Sequence, residues 1–169
     1  MGEFITRPTR VGPVHGYPDN PRAAALALFA RNFASGPGTD TAVTTAGTLV
    51  PWSAIDSGAP AGTDVPITPR STGVVRISGV LSLSCISEGN EWVQLLVQVG
   101  GVAQAIPAVE KDTVSAGGFT AVPFLAEVTL PIGVAANIQI KLNPRVNDTV
   151  TIVADSCTIE VQEVPVATG

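Results

Sequence analysis

The sequence predicts an all-β protein, a jelly-roll-like antiparallel β-sandwich with an N-terminal arm and a short helix. Three observations predict it. From about residue 41 onward, apolar and polar side chains take turns with a period of two. These runs, roughly seven to ten of them, are separated by turn residues at spacings of about 8 to 12. Before residue 41 the pattern is different, with a proline- and glycine-rich leader followed by one stretch of helical period. The expected organisation is an arm with a helix over residues 1–38, a sandwich over 39–165 and a short tail over 166–169.

Residues 1–20, MGEFITRPTRVGPVHGYPDN, show no sustained period. Each proline fixes its own φ and pushes the preceding residue toward extended geometry, so the segment reads as an arm. The next stretch, NPRAAALALFARNFA, predicts a helix over about residues 21–34. Asn20 can cap it, Pro21 suits its first position, and Leu26, Phe29 and Phe33 recur at three and four residues. Ser35–Gly36–Pro37–Gly38 would stop it. A helix this short is marginal alone, so its stripe must pack on something.

Ala42–Leu49 reads as the first strand. A long loop region follows with Pro51, Pro60, Pro66 and Pro69, inside which Val65–Thr68 fits a short edge strand. The clearest strand is Gly73–Cys85, with Val75, Ile77, Gly79, Leu81, Leu83 and Cys85 on one face. Ser87–Asn90 turns the chain into Glu91–Val99, and Gly100–Gly101 is a hairpin pair leading to Val102–Val109. The turn EKDTVSAGG precedes Phe119–Leu130. Asn137–Leu142 alternates cleanly, and Thr149–Ala154 and Cys157–Val164 close the set. The number of strands and the absence of a Cys…Trp…Cys arrangement favour a jelly roll over an immunoglobulin-like sandwich. Pairing of Gly73–Cys85 with Cys157–Val164 would bring Cys85 and Cys157 into one region, either as two buried thiols or as one disulfide.

Composition narrows the function. Charged residues are 14% of the chain against the roughly 25% usual for soluble domains. Either small polar side chains cover the surface, or much of it is an interface, where charge is depleted. The formal net charge is −5, and Arg70, Arg76 and Arg145 stand far apart in sequence. A nucleic-acid partner for the body is not expected. The arm is basic by contrast, with Arg7, Arg10, Arg22 and Arg31 against Glu3 and Asp19. No run approaches the length of a membrane span, and no apolar leader precedes a cleavage site, so no membrane partner is expected.

Reactive constellations are not found. His15, the one histidine, sits in the arm without an orienting group or companion ligands. The acid pairs Glu88/Glu91, Glu110/Asp112 and Glu160/Glu163 read as solvated, and the last two point to opposite faces. No phosphate-cradling loop or nucleophile elbow is present. The chain is expected to be no enzyme and to need no metal or other cofactor. Candidate contacts are therefore Phe4, Arg7, Arg10, Tyr17, Arg22, Leu26, Phe29 and Phe33 of the arm and helix. Trp52 and Trp92 are further candidates for a subunit contact, since Trp is enriched at the centres of interfaces. Trp52 also reads as a plug over the open end of the sandwich, and Trp92 as a cover on the core edge.

The run VVRISGVLSLSCISEGNEWVQLLVQVGG resembles the strand-turn-strand arrangement of trimeric jelly-roll proteins of the tumour-necrosis-factor and C1q-like kind. It is similar in style to the small β-sandwich decoration or cement proteins of tailed-bacteriophage heads. That resemblance covers roughly residues 65–165 and contains no diagnostic motif. It implies a homo-oligomer, a trimer by the family's habit, seated on a capsid and gripping the major capsid protein or another virion protein through an N-terminal extension. The other reading is a receptor- or glycan-binding module of a viral fibre or spike, with contacts in Ser87–Asn90 and Glu110–Gly118.

Overall fold

The computed structural model of the chain describes residues 29–44, 46–85, 92–103, 109–112, 118–144 and 150–165. Its strands are β1 (Arg31–Gly36), β2 (Thr41–Val43), β3 (Thr48–Leu49), β4 (Ala54–Ile55), β5 (Val65–Ile67), β6 (Val74–Cys85) and β7 (Trp92–Val99). They continue as β8 (Val102–Ala103), β9 (Val109–Asp112), β10 (Phe119–Thr129), β11 (Ala136–Pro144), β12 (Val150–Ile152) and β13 (Cys157–Glu163). No helix occurs among the described residues, and none there could cross a membrane.

Every pairing is antiparallel. In the first sheet β6 is the spine: β10 runs along one side of it for its whole length, while β13 and β12 share the other side end to end. Beyond them lie β1 beside β13, β4 beside β1, and β2 beside β12. The second sheet is built on β7 and β11, with β8 and β9 flanking β7 and with β3 and β5 flanking β11. A period of two explains why both sheets have one dry face. On β6, Val75, Ile77, Leu81, Leu83 and Cys85 point inward, and Val93, Leu95 and Val97 of β7 with Ile138, Ile140 and Leu142 of β11 face them. Apart from Cys85, these side chains belong to one core built largely of branched aliphatics.

The expected Gly73–Cys85 and Cys157–Val164 strands do pair, with Val161 opposite Ile77. Cys85 and Cys157 are both buried thiols in that sheet. Burial pushes the Cys157 thiol up from its ordinary value, and the backbone N–H of Ser82, at 3.3 Å, pulls it back only in part.

Three expectations are corrected. Residues 31–36 are a strand, so the helix over about 21–34 does not extend through Phe33 and the sandwich begins before residue 39. Six backbone partners on β13, from Gln162 to Cys157, claim this stretch, and pairing outweighs the small helix preference of its residues. The rest of that helix, residues 21–28, and the arm before it lie outside the described residues. Ala42–Leu49 is not one strand, because β2 and β3 belong to different sheets and the chain turns between them at Gly47, whose φ is +84°. Within the expected turn 110–118, Val109–Asp112 is a strand paired with Trp92–Leu95.

Gly79 sits where β6 must let two neighbours close in. A Cβ there would press on the carbonyl oxygen of Thr158 and lie 2.6 Å from Cζ of Phe124, whose ring covers the glycine from β10. The Gly79→Ala variant is expected to lose about 1–3 kcal/mol of stability, since neither the backbone oxygen nor the packed ring can retreat freely. Urea titration followed by circular dichroism measures this.

Candidate functional site

The described residues hold no group of three or more His, Cys, Asp or Glu side chains placed to share a metal ion. What they hold instead is one buried acid beside the start of β1 and two unlike outward faces.

The acid is Glu163, the last residue of β13, which is 0% exposed. Its Oε2 accepts the backbone N–H of Ala30 at 3.1 Å and of Arg70 at 2.8 Å. Its Oε1 accepts those of Ser71, Thr72 and Gly73 at 2.8, 2.6 and 2.9 Å. The main chain closes the arrangement: Glu163 N–H donates to the Ala30 carbonyl at 2.8 Å, and the Thr72 hydroxyl donates to the Val164 carbonyl at 2.7 Å. Gly73 enters this turn at φ +70°, and a Cβ on it would strike the Leu130 carbonyl oxygen. Burial by itself would raise the carboxyl of Glu163. The N–H groups of Arg70, Gly73, Ser71 and Ala30 more than offset this and hold it at about 2, below the ordinary 4.5. Expected as a solvated acid, Glu163 is instead the tie between the start of β1, the crossing from β5 to β6, and the end of β13.

Asn32 adds a second tie beside it. It is 4% exposed, and its Nδ2 donates to the Pro66 carbonyl at 2.7 Å and to Ser57 Oγ at 3.1 Å. Its Oδ1 accepts the backbone N–H of Phe33 and of Ser57. Sheet one and sheet two are thus stitched at the same seam. An open cleft of about 470 Å³ lies there, walled in part by Phe29, Arg31, Asn32, Ile67 and Arg70.

The outward face of sheet one reads in rungs across β1, β13, β6 and β10. One rung is Arg31, Gln162, Arg76 and Glu127; the next is Phe33, Glu160, Ser78 and Leu125; the third is Ser35, Thr158, Val80 and Pro123. Arg31 pairs with Glu160 at 2.7 Å and Arg76 with Glu127 at 2.8 Å, both at the surface. The large apolar side chains most exposed among the described residues, Phe119 (69%), Leu125 (64%), Ile132 (56%) and Val134 (54%), all belong to β10 or the turn after it.

Sheet two differs. Its outward face carries Gln94 and Gln98 on β7 opposite Asn143 and Gln139 on β11. Asp64 lies beside it, accepting from Gln139 Nε2 at 2.5 Å and from Asn137 Nδ2 at 3.2 Å.

Of the candidate contacts, Phe4, Arg7, Arg10, Tyr17, Arg22 and Leu26, like His15, lie outside the described residues. Phe29 stands at the cleft and Phe33 on the outward face of β1. Trp92 opens β7 opposite Asp112. Trp52 is 1% exposed and bridges to Gly62, so a partner could reach it only by opening the sandwich. The seam residues Asn32 and Glu163 were missed. An acid at an inward position of an otherwise apolar strand was the one signal that could have found Glu163.

No family model and no curated protein matches the chain. Among solved structures, the Eiger tumour necrosis factor of S. frugiperda matches 83% of this chain and 94% of its own, at 12% identity and a TM-score of 0.52. Murine APRIL matches 80% of this chain and 99% of its own, at 11% identity and a TM-score of 0.50. A structure of infectious bursal disease virus is matched at 14% identity with a TM-score of 0.34, too loose to bear on function. The first two likenesses establish a tumour-necrosis-factor-like jelly roll as the fold.

The Glu163 tie has a measurable pH signature. Its folded value lies below the unfolded one, so its contribution is complete above about pH 4.5 and disappears as pH falls toward 2. The Glu163→Gln variant is expected to be weaker than wild type by about 2–3 kcal/mol at neutral pH. That gap should narrow almost to nothing near pH 2, as read by urea unfolding of both proteins across the range.

Proposed function

We propose that this chain is a structural subunit that assembles with copies of itself, as a homotrimer, and attaches to a capsid lattice as a decoration or cement protein at the virion surface. The observation that carries the reading is the fixing of the arm's root. Ala30, the residue before β1, is bonded to Glu163 through both its N–H and its carbonyl. Glu163 in turn holds the turn that crosses between the sheets. A leader that grips a neighbouring shell protein would therefore pull on both sheets at once, which suits an anchor. The basic residues Arg7, Arg10 and Arg22 and the aromatics Phe4 and Tyr17 give that leader something to grip with. The resemblance of residues 65–165 to trimeric jelly rolls, and the low charge of the chain, support the assembly part of the reading.

A second reading, a receptor- or glycan-binding module, rests on the amide-rich outward face of sheet two, where Asn137 and Gln139 orient the Asp64 carboxylate. Side-chain amides and carboxylates are the groups that recognise vicinal hydroxyls.

Cosedimentation separates the two. The full chain and a chain lacking residues 1–28 would each be mixed with capsids assembled from the major shell protein of the same source. Under the proposal the full chain pellets with the capsids, and the shortened chain stays in solution while keeping its circular dichroism spectrum. Equal pelleting of both defeats the arm as the anchor. Binding of both forms to a glycan array, with neither pelleting, transfers the case to the second reading.

A further inference from the structure

The geometry points to the outward face of sheet one, centred on β10, as the surface through which two copies of this chain meet. The inference rests on the self-association part of the reading above and names where it happens.

Three observations carry it. First, the large exposed apolar side chains gather here. Phe119 and Leu125 point out from β10, Ala121 and Pro123 fill the positions between them, and Ile132 and Val134 are exposed in the turn after it. An apolar run of this kind is uncommon on the surface of a monomer.

Second, the face is electrically neutral on a chain that is not. Copies of a protein with net charge −5 repel one another. Across β1, β13, β6 and β10 the outward charges are Arg31, Glu160, Arg76 and Glu127, which are already joined in two ion pairs. A copy presenting the same face meets no like charge, whereas a strongly basic partner finds nothing to attract it.

Third, the area suffices. β10 and β6 have 11 and 12 residues, β13 has 7 with the 3 of β12 continuing its side of β6, and β1 has 6; at ~3.3 Å per residue and ~4.8 Å per strand this gives roughly 600 Å². That is the lower end, about 600 Å² per partner, of a standard stable interface. Contact is made by side chains and not by adding a strand to the β10 edge, because Pro123 has no N–H to give and proline in strands is an edge residue.

The test uses the full chain in native mass spectrometry and sedimentation. Wild type is expected to be an oligomer. The double variant Phe119→Glu, Leu125→Glu is expected to raise the dissociation constant at least about 30-fold with an unchanged circular dichroism spectrum. The control Leu96→Gln, on the outward face of sheet two, should leave the assembly intact. Should the double variant fail to fold, Ala121→Cys with a spin label takes its place. Ala121 is exposed while Cys85 and Cys157 are buried, so the label reports from β10, and spin–spin broadening between copies is expected.

An oligomer that survives the double variant, or shows no broadening at position 121, overturns this face and leaves self-association standing. A monomeric wild type overturns both. If in that case removing residues 1–28 raises binding of an apolar dye, the chain's own leader is the occupant and the inference is wrong.

Discussion

Five backbone N–H groups from two distant stretches of chain converge on the carboxylate of Glu163, and the rest of the sandwich is arranged around that convergence. A turn passing from one sheet to the other must leave its amides pointing somewhere. Residues 70–73 point theirs toward the end of β13, where an N–H left unpaired in a buried position would cost about 1–3 kcal/mol. Placed at the end of β13, the carboxylate takes all four of these amides and also that of Ala30. No apolar residue could replace it, because the amides would be stranded. No neutral acid would serve as well, because the bonds to a charged acceptor are the stronger ones. The entry to β1, the crossing to β6 and the end of β13 are thereby held at one point.

The core is closed by branched aliphatics from both inner faces, which leaves the outer faces of the two sheets free of any demand from it. The two outer faces share a pleat and a twist but differ in chemistry. Sheet one shows serine, threonine, two internal ion pairs and an apolar margin along β10, while sheet two shows a ladder of amides. Side chains facing outward on a strand do not have to satisfy the core, so the packing of the sandwich does not account for this contrast.

The sequence made the central strands legible because nothing competed with their period. Val74–Cys85 and Cys157–Glu163 alternate cleanly, and they pair as in the arrangement expected to bring Cys85 and Cys157 into one region. Arg31–Gly36 was misread, because Leu26, Phe29 and Phe33 happen to fall at helical spacing while the residues that settle the matter lie on β13, more than a hundred positions later. The break at Gly47 was hidden in a similar way, since an alternating run does not reveal that its two halves pair with different sheets. Glu163 escaped because the pattern assigns an acid to the solvent by default, and only the five amides from elsewhere in the chain make its burial tolerable.

The strand that was misread belongs to the proposed contact face. β1 is fixed at its start through Ala30, the residue before it, and contributes Arg31 and Phe33 to the outward face of sheet one. A copy packed on that face would cover β1 only a few residues from the point where its leader departs. Assembly would then gather the roots of several leaders on one side of the oligomer, so that one lattice could be gripped at several points. Weak individual grips combine into a firm one when their spacing matches the sites they must reach. In the proposed assembly the basic character of the leader and the neutrality of the face are complementary: one part of the chain would meet a foreign surface, and the other would meet itself.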